Sequence, residues 1–485
     1  MELKREKTIS IIELLIIMIS VVLLLNRAKY GYCFNDEPFC YTIAQRISYG
    51  DKLITDEWHV TQNIGPLLLP LYSIYHFFCS SNEGILLTFR YVYCAIWFLC
   101  CLLVYIVLRK RYKFAVVAFC YIIFFSPLDF MTLSYTSIGV MACMLICTLL
   151  FCFFEMHKFD SPIGIASLYS LLSCIMVLCC PYMAVAYIVL FVICIFYRVN
   201  AKTEESKFLF KAYAISMVMV TIIAALYSYF FVFQGKNLEA IMEALPYIFS
   251  GDPEHPVLNP IETLFTDIKA LFGMSRLFST VVLLGVFCSL FAKRLQLPCV
   301  FKALVFLLAS VCYFRYQFIV CIKHDISEYN TLNFQMFAMA LLGFLAYVLL
   351  DNKPKKLLYC FFIPGLIYTY FFSLSSNTGL VGMSMTLSVC GIAGVVFITL
   401  FGTEICGMFN RLAVKRVAGI SIALLLVFQI SSEIYVKCTR YFWGAPVQNM
   451  KQTIECGAAK GIRCTATEKQ TYEFEYNVIN YFGRL

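Results

Sequence analysis

Residues 64–78, IGPLLLPLYSIYHFF, decide how the rest of the chain is laid across a membrane. The run is apolar but shorter than the roughly 20 residues of a spanning helix, and it carries Pro66 and Pro70, so it reads as an interfacial or partly inserted helix. If it spanned, Arg109, Lys110, Arg111 and Lys113 would face outward, against the positive-inside rule. Read as interfacial, it leaves that cluster inside.

Composition agrees with a membrane setting. Of 485 residues, 61% are hydrophobic and 14% charged, and the mean hydropathy is +0.80, too apolar for a water-soluble chain. The net charge of +9 does not indicate nucleic acid, because the basic residues cluster between apolar runs, where they orient the chain in the bilayer. Most of the 24 cysteines, Cys100, Cys101, Cys143, Cys147, Cys179 and Cys180 among them, sit inside apolar segments as small hydrophobes. No metal site is expected from their spacing. Only Cys438, Cys456 and Cys464 fall in a polar stretch, where one disulfide is compatible with an oxidising compartment.

Outward from the deciding run, hydropathy predicts an all-α polytopic membrane protein. MELKREK precedes an apolar stretch from Ile9 to Leu25 with no small-residue cleavage site, read as a retained first helix with a cytoplasmic N-terminus. Glu13 within it needs a polar neighbour or a place near the interface. Further spans are expected at roughly 86–108, 114–130, 135–154, 163–179, 182–197, 212–233, 277–292, 299–319, 330–350, 357–373, 379–401 and 418–434, about thirteen in all. This gives a transmembrane domain over 1–434, with outer loops at 26–85 and 234–276, and a small extracytoplasmic tail over 435–485. A surface helix from Pro260 to Phe272 is expected in the second loop.

The first loop holds most of the polar chemistry, in FNDEPFCYTIAQRISYGDKLITDEWHVTQ at 34–62. Asn35, Asp36 and Glu37 precede Pro38, and Gly50 follows about three turns later, which marks both ends of a short helix. Phe39, Ile43 and Ile47 recur on one face while Gln45 and Arg46 lie off it, so the helix is expected along a membrane surface. Asp56, Glu57, Trp58, His59 and Gln62 follow, then Gly65 and Pro66.

With Asp36 and Glu37, SYGD at 48–51, GPLLLP at 65–70 and NEGILLTFRY at 82–91 in this order, the chain resembles the C-type membrane glycosyltransferases. Within them it is nearest to the protein O-mannosyltransferases and the lipid A aminoarabinose transferases. The resemblance is clearest over about the first 200 residues. In two places the chain departs from the family pattern. Related enzymes often carry a lysine before the proline, where this chain has Gly65, and an acid at the start of the fourth span, where this chain reads LSYTSIG with Asp129 upstream.

The resemblance implies an inverting transfer of a sugar from a polyprenyl-phosphate donor to a glycan, lipid or protein acceptor at the extracytoplasmic face of a bacterial plasma membrane. Such a reaction needs a base for the acceptor and cations for the leaving phosphate. Asp36 is the expected base, with Glu37 beside it and Asp129 as candidate second acid. From the residues alone, Asp36 serves equally as a helix cap. For the phosphate the candidates are Arg90, His59, Lys52, Arg315, Lys323 and His324. Asp56, Glu57, Trp58 and Gln62 are candidates for the acceptor cleft. No cofactor is assigned, with room for a weakly bound divalent cation. The competing class is a transporter or flippase for a lipid-linked saccharide, or an inactive relative.

Overall fold

The structure, a computed structural model, describes residues 10–33, 36–59, 61–126, 131–156, 161–201, 203–250, 259–292, 299–318, 328–375, 380–409, 412–439 and 445–482. In chain order the helices begin with α1 (Ile11–Arg27), α2 (Asp36–Ser48), α3 (Ile64–Phe78), α4 (Ile85–Arg109), α5 (Ala115–Ile123), α6 (Tyr135–Met156) and α7 (Pro162–Cys179). They continue with α8 (Met183–Ala201), α9 (Glu204–Ser228), α10 (Leu238–Ser250), α11 (Pro260–Met274), α12 (Arg276–Ala292), α13 (Cys299–Phe318) and α14 (Glu328–Leu349). The last are α15 (Lys355–Leu357), α16 (Ile363–Ser375), α17 (Leu380–Met408), α18 (Leu412–Thr439) and α19 (Ala466–Phe482). A two-stranded antiparallel hairpin, β1 (Gln452–Thr453) and β2 (Arg463–Cys464), precedes α19.

Among the described residues, nine helices are long and apolar enough to cross a membrane, or ten if the bent pair at Ile261–Gly273 and Arg276–Leu290 is one span. The chain is an all-α polytopic membrane protein. α3 keeps the bounds read from the sequence. Arg109 at the end of α4 reaches Glu13 at the start of α1, Nη2 to Oε2 at 3.0 Å. This supplies the polar neighbour that Glu13 requires in an apolar setting. It also brings those two helix ends together.

The chain divides into two compact units, one of residues 25–96, 130–260 and 443–485, the other of residues 1–24, 97–129 and 261–442. In the second unit α14 and α17 cross backbone to backbone. A Cβ on Gly343 would collide with the Cα of Gly394, and one on Gly394 would lie 2.5 Å from the Met339 carbonyl oxygen. Small residues serve membrane helices in this way because lipid offers no hydrophobic drive and close packing must supply the attraction. Tyr121 of α5 covers Gly391 and donates to Met336 Sδ at 3.0 Å. Gly394→Leu should destabilise the protein by about 1–3 kcal/mol or more through overpacking, read as a lower melting midpoint in detergent. Gly407→Ala on the same helix, where a Cβ meets nothing within 4 Å, should leave it unchanged or slightly raised.

In the first unit polar groups bind α9 to both α7 and α8. Ser170 and Ser216 hydroxyls meet at 2.7 Å, and Tyr213 donates to the Tyr187 carbonyl at 2.9 Å. Cys438, Cys456 and Cys464 are not joined in a disulfide. Cys33 and Cys40 are buried while Cys79, just after α3, is exposed. A membrane-impermeant maleimide added outside intact cells should therefore label Cys79, not Cys33 or Cys40. Loss of that signal in Cys79→Ser checks the site, and labelling only after permeabilisation would invert the expected orientation.

Candidate functional site

The site is built on α2. Its acidic first turn complements the positive end of the helix dipole, and Pro38 stands where no N–H is needed. Its far end is closed by Gly50 at φ +108°, a conformation suited to glycine. There the Gly50 N–H donates to the Ile47 carbonyl at 3.0 Å and the Asp51 N–H to Arg46 at 3.2 Å, the paired bonds of a Schellman stop. The apolar stripe expected to rest on a membrane surface instead packs on protein. Ile43 is buried against α3, and Ile47 joins a cluster with Leu53, Val232 and Ile241.

The same packing accounts for Gly65. A Cβ there would lie 2.8 Å from Ile47 Cδ1 and collide with Ile43, so α2 occupies the ground on which a lysine would stand. Tyr41 and Cys40 line the buried side of α2, where desolvation pushes the phenol and the thiol each up to about 12. Neither is a nucleophile near neutral pH.

The two acids at the start of α2 stand in opposite environments. Glu37 is 1% exposed and forms a two-pronged ion pair with Arg90, itself 1% exposed. Arg90 Nη1 also donates to the carbonyls of Ala28 at 2.9 Å and Tyr30 at 3.3 Å, and Nη2 to Gly31 at 2.7 Å. All five of its N–H donors are thus engaged. Arg90, expected at a donor phosphate, is here a buried guanidinium that fastens α2 and the 28–31 segment to α4. Asp36 is exposed.

The loop after α2 is organised by Arg46, which sequence reasoning placed only on the wet face. Its Nε binds Asp51 at 2.7 Å, its Nη1 binds Glu57 at 2.5 Å, and its Nη2 donates to the Asp56 carbonyl. Asp56 accepts from Lys236 Nζ at 2.7 Å and from the Lys52 N–H at 2.9 Å. Partial burial works to raise its carboxyl, but those donors outweigh burial and hold it below the usual carboxylate range. Gln62, buried, accepts from the Ile54 N–H at 2.7 Å, and Ile54 holds φ +75°. A β-branched residue in that region is strained and persists only where its surroundings over-determine it. Asp56, Glu57 and Gln62, the residues expected at an acceptor cleft, thus also shape the loop.

Lys52 Nζ donates to the Phe230 carbonyl at 2.9 Å. His59 is exposed, accepts at Nδ1 from the Thr61 N–H at 3.1 Å, and lies tilted against Phe39 with ring centroids 4.4 Å apart. Trp58 is half exposed and stacks on Tyr247 at 5.0 Å. Arg315 lies exposed on α13, in the other unit. Asp129, Lys323 and His324 fall outside the described residues.

The tail completes the loop. The Arg463 N–H donates to the Lys29 carbonyl at 2.6 Å and the Gly31 N–H to Arg463 at 2.8 Å, adding residues 29–31 beside β2. Gly84 and Leu86 donate to Gly457 and Ala458, and Tyr32 meets Tyr472 edge to face at 5.1 Å. Beside this seam lies a groove of about 390 Å³ lined by Tyr30, Gln448, Met450, Lys451, Thr453 and Arg463. Arg463 lies over the Tyr30 ring, 5.4 Å from its centroid. Nothing local in residues 29–31 or 452–464 announces this pairing. Searches with known family models and against curated protein sequences find no match to the chain.

Proposed function

We propose that the protein is a C-type membrane glycosyltransferase of about thirteen spans, which moves a sugar from a polyprenyl-phosphate donor to an acceptor at the extracytoplasmic face of a plasma membrane. Asp36 takes the acceptor proton as the nucleophile displaces the phosphate, and the single displacement inverts the anomeric carbon. The observation that carries this reading is the division of labour between neighbouring acids. Glu37 is locked by Arg90 and holds the helix, while Asp36 stands exposed at its positive end. The groove beside Tyr30, with Lys451 and Arg463, suits an acceptor carrying hydroxyls and negative charge. With Arg90 saturated, Lys52 and His59 are the loop groups nearest in sequence for the leaving phosphate.

The test is donor turnover. Purified protein in lipid is offered a mixture of polyprenyl-phosphate sugars with candidate acceptors, and mass spectrometry follows free polyprenyl phosphate. Release with loss of one donor supports the reading and names the sugar. Binding or movement of the lipid without release overturns it in favour of a carrier of lipid-linked saccharide. That second reading is favoured by one observation, a carboxyl group, Glu433, buried within a spanning helix.

A further inference from the structure

Glu433 belongs to a polar network that the loop chemistry does not use. On α18, Gln429, Ser432 and Glu433 fall on one face at helical spacing. Gln429 Nε2 donates to Glu433 Oε1, and Gln429 Oε1 accepts from Tyr313 of α13. Gln335 of α14 donates through Nε2 to Ser432 Oγ at 2.5 Å, and Ser432 donates onward to the Gln429 carbonyl at 2.9 Å. Every donor in this chain of bonds is directed at an acceptor. What remains over is acceptors: Glu433 Oε2 and Gln335 Oε1 are buried without a partner. Gln317, one turn beyond Tyr313 on α13, is buried with both amide atoms unpartnered.

A network serving only to tie helices together would close on itself, since nearly all buried polar groups find partners. Here three fully buried side chains on three helices leave oxygens open, one of them on a carboxyl. A carboxylate in a spanning helix is costly unless its charge is met. Among the described residues no Lys or Arg pairs with Glu433. One charge of opposite sign, met by the Glu433 carboxylate and ligated by neutral amide oxygens, would satisfy the open oxygens, with the Gln317 N–H left outside the set. A divalent or transition metal is a poorer match, because no group of three His, Cys, Asp or Glu side chains occurs among the described residues.

We propose that Glu433, Gln335 and Gln317, braced by Tyr313, Gln429 and Ser432, form an intramembrane site for one monovalent alkali cation. The site is independent of the reaction assigned to the α2 loop. Glu433 supplies the charge, and the two amide oxygens replace part of the ion's hydration shell.

The full chain in lipid nanodiscs is tested at constant ionic strength, with choline chloride exchanged for NaCl or KCl. Equilibrium binding of radioactive sodium is measured alongside thermal unfolding. The expected result is saturable binding of one ion per chain and a melting temperature several degrees higher in one alkali salt than in choline, the salt naming the ion. Glu433→Gln should lose the binding and the shift while remaining folded, because it removes a buried charge and keeps the shape. Gln335→Leu should weaken binding about tenfold, the loss of one good ligand contact, and it decides the matter should the Gln variant not fold. No sodium binding together with equal melting in all three salts overturns the proposal, as does ion binding retained in both variants. Either result makes the network a neutral knot closed by a proton or by buried water.

Discussion

Asp36→Asn is expected to slow sugar transfer by about 10²–10⁴-fold, the usual worth of a positioned general base, without changing the amount of folded protein in the membrane. Asparagine keeps a side-chain oxygen at the start of α2 and is as good a helix cap as aspartate. Asp36 is exposed, and the amide is isosteric with its carboxylate. Turnover falls because the amide cannot accept the acceptor's proton. The measurement is free polyprenyl phosphate released per unit time, beside the melting temperature of the same preparation. Near-normal release with unchanged melting would return Asp36 to the role of helix cap.

Arg90→Met should cost about 3–5 kcal/mol, the penalty for leaving one member of a buried ion pair alone. Against a total stability of about 5–15 kcal/mol this is severe. The variant strands the Glu37 carboxylate and removes the donors that hold the carbonyls of Ala28, Tyr30 and Gly31. The expected readout is a large loss of monodisperse protein on size exclusion. Adding Glu37→Leu should recover much of it, since an apolar pair of similar bulk often replaces a buried ion pair at little loss. Should Arg90→Met instead keep normal stability and lose only donor affinity, Arg90 would regain the phosphate-binding role expected from its position at a membrane boundary.

The surroundings of Arg90 mark the limit of what the sequence displays. Apolar run length and flanking charge placed the helices closely: α4 covers Ile85–Arg109 where 86–108 was expected, and α7 covers Pro162–Cys179 where 163–179 was expected. Run length is a local property, so it is written locally. The partner of Arg90 lies 53 positions away and that of Lys236 180 positions away, and no local pattern announces either pairing. The stripe of Phe39, Ile43 and Ile47 was correct as a stripe, but periodicity states that a face is kept dry without stating whether lipid or another helix does so. α10 went unread because Pro246 lies inside it and argued for a loop. Glu433 falls inside the span expected at 418–434 and was given no role there, because the partners of its network, Tyr313 and Gln335, lie about 100 positions away.

The bond between Arg463 and Tyr30 joins positions 433 apart in the chain, which bears on how the protein is made. At about 5–20 residues per second of synthesis, the segment at 29–31 waits roughly 20–90 s for the strand that closes it. During that interval its exposed backbone edge is open to pairing with other chains. Synthesis of residues 452–464 is thus the step at which a newly made α2 loop either matures or becomes a target for quality control. Truncation after α18 would leave the first loop without the strand that pairs with residues 29–31.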